Sequence, residues 1–268
     1  MKKDSKATKD EDIDTLDSND EGESLYVEVS KGNKSKKIED KYKKMSQEEH
    51  ILTLPDTYIG SIEQSCEQRY IYDNQLNCMV ERDINYVPGL YKIFDEIIVN
   101  ARDHHVRDSS LKTIKVEINK DEGFISVFND GSGLEVEVHN EHKVYIPELV
   151  FAHLLTSANY NKDENKITGG KNGFGAKLTN IYSTKFIIET VDSRSKIKKK
   201  YVQVFENNMK VKNKPKITSN SGKSYTKITF YPDFKKFGIS GLTEDIVNVF
   251  KRRVYDLAGT LPNNISVY

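Results

Sequence analysis

The spacing of apolar residues changes near residue 110, and that change restricts the folds open to this chain. Upstream, Phe94, Ile97, Ile98 and Ala101 recur at helical intervals, so residues 94–107 read as an amphipathic helix starting near Val87-Pro88-Gly89-Leu90. Downstream, Thr113–Ile118 and Phe124–Phe128 alternate with period two, and Asp121-Glu122-Gly123 supplies a hairpin turn between them. Helices are also expected from Ile38 to about Leu52, over Pro147–Leu155 with Leu149, Val150, His153 and Leu154 on one face, and over Glu244–Leu257. Tyr70-Ile71-Tyr72 and Cys78-Met79-Val80-Glu81 read as two short paired strands, and further strands are expected at Lys185–Val191, Lys199–Phe205 and Tyr225–Tyr231. The order predicts an α+β fold, a mostly antiparallel mixed sheet with helices on one face.

The chain has 268 residues, enough for one large domain or two small ones. Residues 1–36 are mainly Lys, Asp, Glu, Ser and Thr, and are expected to be a disordered polar and charged tail. Residues 37–262 form the predicted globular domain. Residues 263–268 read as a strand just beginning, the start of a truncated further domain. No apolar run approaches the roughly 18 residues of a membrane span, and the N-terminus lacks the apolar core of a signal peptide. With only Cys66 and Cys78, spaced for no zinc pattern, the expectation is a soluble protein of a reducing, intracellular compartment. Lys plus Arg and Asp plus Glu balance at 41 each, so net charge announces no nucleic-acid partner. Two basic clusters, Lys196–Lys200 and Lys251–Arg253, stand open as solvated surface or as nucleic-acid contacts.

Glu96, Asn100, Asp103 and Arg107 fall at i, i+4, i+7 and i+11 of the first helix, one polar stripe. A carboxylate and an amide one turn apart suit holding a metal and activating a water beside a phosphate. After the second strand comes Asn129-Asp130-Gly131-Ser132-Gly133, either an ordinary turn or a close approach to a flat ligand, with Asp130 accepting from an exocyclic amine. Gly169-Gly170-Lys171-Asn172-Gly173-Phe174-Gly175-Ala176-Lys177 precedes a short helix. Such a loop is either a flexible linker or an anion cradle, in which backbone N–H groups and the helix end face a phosphate. It ends in neither Gly-Lys-Ser/Thr nor a Rossmann turn.

The three features in this order resemble the GHKL ATPases, the superfamily of gyrase, the ninety-kilodalton heat-shock chaperone, histidine kinases and MutL. Within it, the chain resembles the ATPase domain of eukaryote-type, type IIA DNA topoisomerase II. The matching stretches are Glu49–Leu52 with Pro55–Gly60, Gly89–Ile97, Leu154–Tyr160, Thr168–Lys177 and Ser224-Tyr225-Thr226. The resemblance implies the GHKL (Bergerat) fold, ATP and Mg2+ as cofactors, and an N-terminal gate that dimerises on ATP to capture a DNA duplex. It makes Glu96 the general base on the water attacking the γ-phosphate, and Asn100 the side-chain ligand of Mg2+, which keeps several waters. Asp130 becomes the adenine acceptor, beside Gly133 and with Thr226 near it through water. Ser157, Ala158 and Asn159 fall at the ribose and phosphate contacts, with one hydroxyl absent at Ala158. Lys171, Asn172, Gly173, Phe174, Gly175, Ala176 and Lys177 become the triphosphate cradle, and Arg107 a phosphate contact, while Asp103 braces the site. Tyr42 lies on a strap that reaches the partner subunit's nucleotide, or is a buried helix aromatic. His104 stands where the family commonly has Asn, so a phosphate contact there would vary with pH. The implied location is the nucleus, or the infected-cell cytoplasm or virion of a virus. The alternatives are another GHKL ATP clamp, or a non-catalytic nucleotide-sensing module that binds DNA through its basic clusters. The resemblance also makes residues 263–268 the start of the transducer domain.

Overall fold

The long helix foreseen from residue 94 is the element on which the others are assembled. The structure, a computed structural model, describes residues 45–73, 75–154, 174–194 and 196–268. The predicted tail, Tyr42, Ser157, Ala158, Asn159, Lys171, Asn172 and Gly173 lie outside the described residues.

Helix α1 (Gln47–Thr53) begins with a reciprocal cap. The Ser46 hydroxyl accepts from the Glu49 N–H at 3.2 Å, and the Glu49 carboxylate accepts from the Ser46 N–H at 2.9 Å. Strands β1 (Ser65–Asp73) and β2 (Cys78–Tyr86) form a separate antiparallel pair, in register from Ser65↔Tyr86 to Asp73↔Cys78. Both are longer than their apolar cores, because Glu67-Gln68-Arg69 and Glu81-Arg82-Asp83 extend them with polar residues. Helix α2 (Pro88–Arg107) follows, with Pro88 in its first turn, where the missing N–H costs nothing. It buries Leu90, Ile93, Phe94, Ile97, Ile98 and Ala101.

Strands β3 (Thr113–Asn119) and β4 (Phe124–Asp130) are the predicted hairpin. Helix α3 (Ile146–Ala152) is shorter than foreseen: it ends before His153, whose backbone is extended. Helix α4 (Gly175–Ile181) opens at the end of the Gly-rich stretch. The remaining strands are β5 (Ser183–Asp192), β6 (Lys199–Glu206), the short β7 (Val211–Lys212) and β8 (Lys216–Ser219), and β9 (Tyr225–Pro232). Helix α5 (Glu244–Thr260) is capped by the Thr243 hydroxyl and runs a turn farther than its apolar pattern. The terminal β10 (Ser266–Val267) is the strand expected at this end.

The main sheet runs β10-β3-β4-β9-β5-β6-β7, with β8 also on β6. Among the described residues every pairing in it is antiparallel except β10 on β3. One face holds Ile114, Ile125, Val127, Ile188, Ile228 and Phe230, all buried in the core shared with α2, α4 and α5. The other face is partly open, with Phe128 against Tyr225 and Phe124 against Tyr231, at ring separations of 5.3 and 5.6 Å. This is the α+β layering foreseen, with β1–β2 as an addition lying against α5. There the Asn85 N–H donates to Asp245 Oδ2 at 3.0 Å and Tyr72 packs on Tyr255.

Among the described residues the tightest aromatic contact is the stack of Phe94 on Phe250, 4.2 Å between centroids, joining α2 to α5. Both rings are buried, and Arg253 adds an ion pair to Asp95 at 2.6 Å beside them. Phe250→Ala is expected to lower unfolding stability by about 3–5 kcal/mol in urea denaturation. A loss below 1 kcal/mol would contradict this packing.

Candidate nucleotide site

The polar side of α2 is not uniform. Glu96 and Asn100 are half-buried, Asp103 is buried, and Arg107 is exposed. Lys92, one turn before Glu96, brings its Nζ within 2.5 Å of Glu96 Oε1. The other carboxylate oxygen faces α4 so closely that a Cβ on Gly175 would lie 1.8 Å from Glu96 Oε2. A side chain at position 175 would have to displace the Glu96 carboxylate. The two helices are tied just beyond, where the Thr179 hydroxyl donates to the Ile93 carbonyl at 2.8 Å. Asp103 meets Arg102 Nη1 at 3.2 Å.

Glu96 therefore stands directly against the opening of α4, where Gly175, Ala176 and Lys177 follow one another. Phe174, at the N-terminal cap, is half-buried and packs near Tyr58, 6.2 Å between centroids. Lys177 is buried, and burial pushes its ammonium down to about 8. Among the described residues no three His, Cys, Asp or Glu side chains converge to hold a metal ion.

The strand end nearby separates two adjacent polar residues. Asp130 Oδ1 accepts from the backbone N–H groups of Lys112 and Thr113 at 2.7 and 2.8 Å. By alternation along β4, Asp130 shares the open face with Phe128, whereas buried Asn129 shares the helix-covered face with Val127. Asn129 is paired in register with Thr226, and Thr226 with Thr190, giving a buried polar row across β4, β9 and β5. The two threonine hydroxyls lie 3.1 Å apart.

The loop after β4 is clamped from two sides. Asp108 Oδ2 accepts from the Ser132 N–H and hydroxyl at 2.7 and 2.8 Å. On the other side, Arg194 reaches the Gly133 carbonyl at 3.0 Å and also pairs with Asp192. Burial raises the Asp108 carboxyl, but the Ser110 and Ser132 hydrogen bonds outweigh it and hold the group well below the usual carboxylate range. His104 Nε2 faces this same carboxylate at 3.5 Å. Burial first, then the Arg107 charge, lowers the imidazole pKa against the pull of Asp108, so the ring is neutral at pH 7. The clamp was invisible in the sequence, since its partners lie 24 to 62 residues apart.

Residues 85–236 match the family described as histidine kinase-, DNA gyrase B-, and HSP90-like ATPase. This chain belongs to that family of ATPases. More narrowly, it is 54% identical over 234 residues to DNA topoisomerase 2 of Candida glabrata, covering 87% of this chain and 16% of the relative. It is 52% identical to DNA topoisomerase 2 of Acanthamoeba polyphaga mimivirus, covering 90% of this chain and 19% of that protein. The crystal structure of the ATPase region of Saccharomyces cerevisiae topoisomerase II superposes with a TM-score of 0.83 at 55% identity, covering 85% of this chain and 60% of that one. The chain thus spans under a fifth of the length of these curated relatives, and what it resembles is their ATPase region.

Gly133 has a φ of +73°, and a Cβ there would lie 2.1 Å from the Val191 carbonyl oxygen. Gly133→Ala is expected to cost more than about 1 kcal/mol of stability. Gly241→Ala, at a position with no atom within 4 Å of the added carbon, should leave the thermal midpoint nearly unchanged. Equal shifts for the two variants would overturn the close-approach account.

Proposed function

We propose that this chain is the ATP-binding and ATP-hydrolysing N-terminal gate of a type IIA DNA topoisomerase, two copies of which close on a DNA duplex when ATP binds. The observation carrying this reading is the contact of Gly175 with Glu96, which joins an acid on a rigid helix to the start of a glycine-opened one. A carboxylate held there is a general base for a water attacking a phosphate seated at the α4 end. Lys92 positions that carboxylate from one turn away. Asn100, one turn further along, offers its carbonyl oxygen to Mg2+ entering with the nucleotide. Bound Mg2+ would neutralise phosphate charge. Lys171, Asn172, Gly173, Phe174, Gly175, Ala176 and Lys177 form the cradle, with Arg107 reaching from the α2 end.

At the base end, the Asn129–Thr226 row is the better-placed recognition surface, because it lies on the helix-covered face. Asp130 and Gly133 shape the loop from outside. Ser157 and Asn159 serve the ribose and phosphates, and Tyr42 serves the partner subunit's nucleotide. Such a gate works wherever its duplex is, in the nucleus of a cell or in the cytoplasm or particle of a virus.

Glu96→Gln is expected to lower hydrolysis about 10²–10⁴-fold while leaving affinity for a non-hydrolysable ATP analogue within about twofold. Hydrolysis persisting in that variant would remove Glu96 as the base. A second measurement reads Lys177. Burial holds its ammonium down to about 8, and a bound phosphate would raise that value. Nucleotide affinity should therefore be full below about pH 8 and fall as pH rises above it. Lys177→Arg, which stays charged, should flatten that fall. A wild-type profile flat to about pH 9.5 would exclude Lys177 from the phosphates.

A further inference from the structure

One margin of the main sheet carries a charge that the whole chain does not. From Arg194 to Lys227 there are 11 Lys and Arg residues and a single acid, Glu206. Strand β6 is bordered by β7 through Phe205↔Lys212 and by β8 through Val202↔Lys216 and Lys199↔Ser219. Lys212, Lys214 and Lys216 therefore line one edge, about 20 Å long at the usual rise per strand residue, with Lys196 and Lys223 in the flanking turns, while Lys227 lies inward on β9. Lys196, Lys212, Lys214, Lys216 and Lys223 are exposed. Among the described residues none of the five forms an ion pair. Lys198 ties the edge to the turn before β9 by donating to the Gly222 carbonyl at 2.9 Å.

Edge lysines also discourage sheet-to-sheet pairing, but one or two charges suffice for that. A run this long with one acid costs self-repulsion, which a polyanion relieves by releasing its counterions. Lysines are point charges suited to phosphates. The one arginine in the segment, Arg194, is occupied by Asp192 and Glu135, so no free fork is offered to a base edge.

We propose that the β6–β7–β8 margin grips the phosphate backbone of duplex DNA, without reading sequence and without requiring nucleotide. The choice of DNA rests on the function proposed above. The test is titration of a labelled duplex of about 20 bp with the 268-residue chain over a range of salt, in the absence of ATP. Lys212→Glu/Lys214→Glu/Lys216→Glu should weaken binding at least tenfold and reduce the salt slope by about 2–3, with ATP-analogue affinity unchanged. A control of equal charge change, Lys120→Glu/Lys235→Glu/Lys251→Glu, should cost less than about threefold. Equal loss in the control, or no duplex binding by the wild type, overturns the proposal. Polyglutamate of matched charge competing as well as duplex overturns DNA as the occupant. If the chain binds no ATP yet only the edge variant loses duplex, the ATPase reading fails and this surface stands.

Discussion

The proposed site depends above all on how closely α4 approaches α2. The Thr179 hydroxyl caps an α2 carbonyl, and the Gly175 backbone lies against the Glu96 carboxylate. The same helix that supplies Ile93, Phe94, Ile97 and Ile98 to the core thereby presents its acid at a fixed place. Core packing and site geometry are one constraint here. A shift of α2 on the sheet would disturb the Phe94–Phe250 stack and the Glu96 carboxylate together.

The elements that were legible in advance are those whose burial is one-sided. Helix α2 and the β3–β4 hairpin announce themselves because the core selects apolar residues at a helical or a two-residue period. Strands β1 and β2 were underestimated, since their outer halves carry Glu67, Arg69, Glu81 and Arg82 and bury little. Helix α3 was overrun by a residue or more, because His153 and Leu154 continue an apolar pattern that the backbone does not follow.

The polar stripe of α2 is legible in its residue types, whereas the facing of the residues at the end of β4 is not. The Glu96–Asn100 spacing is local, and the family resemblance ranked its members. Which of Asn129 and Asp130 lies on the helix-covered face is set by strand alternation against the α layer, which adjacent residue types do not reveal. His104 looked like a phosphate contact whose charge follows pH, yet it faces Asp108 within a buried clamp. Contacts made across dozens of residues leave no local trace. The balance of 41 acids and 41 bases likewise concealed how unevenly charge is distributed over the sheet.

The Gly175–Glu96 contact has an evolutionary side. Glycine and alanine codons differ by one base, so a methyl group at this position is always a single replication error away. That methyl would push on the carboxylate rather than the core, so under the function proposed above it would move the acid without unfolding the chain. Under the paired gate proposed above, a folded subunit with its acid displaced would still assemble with an intact one. In any assembly of paired copies, such an error spoils more than its own share.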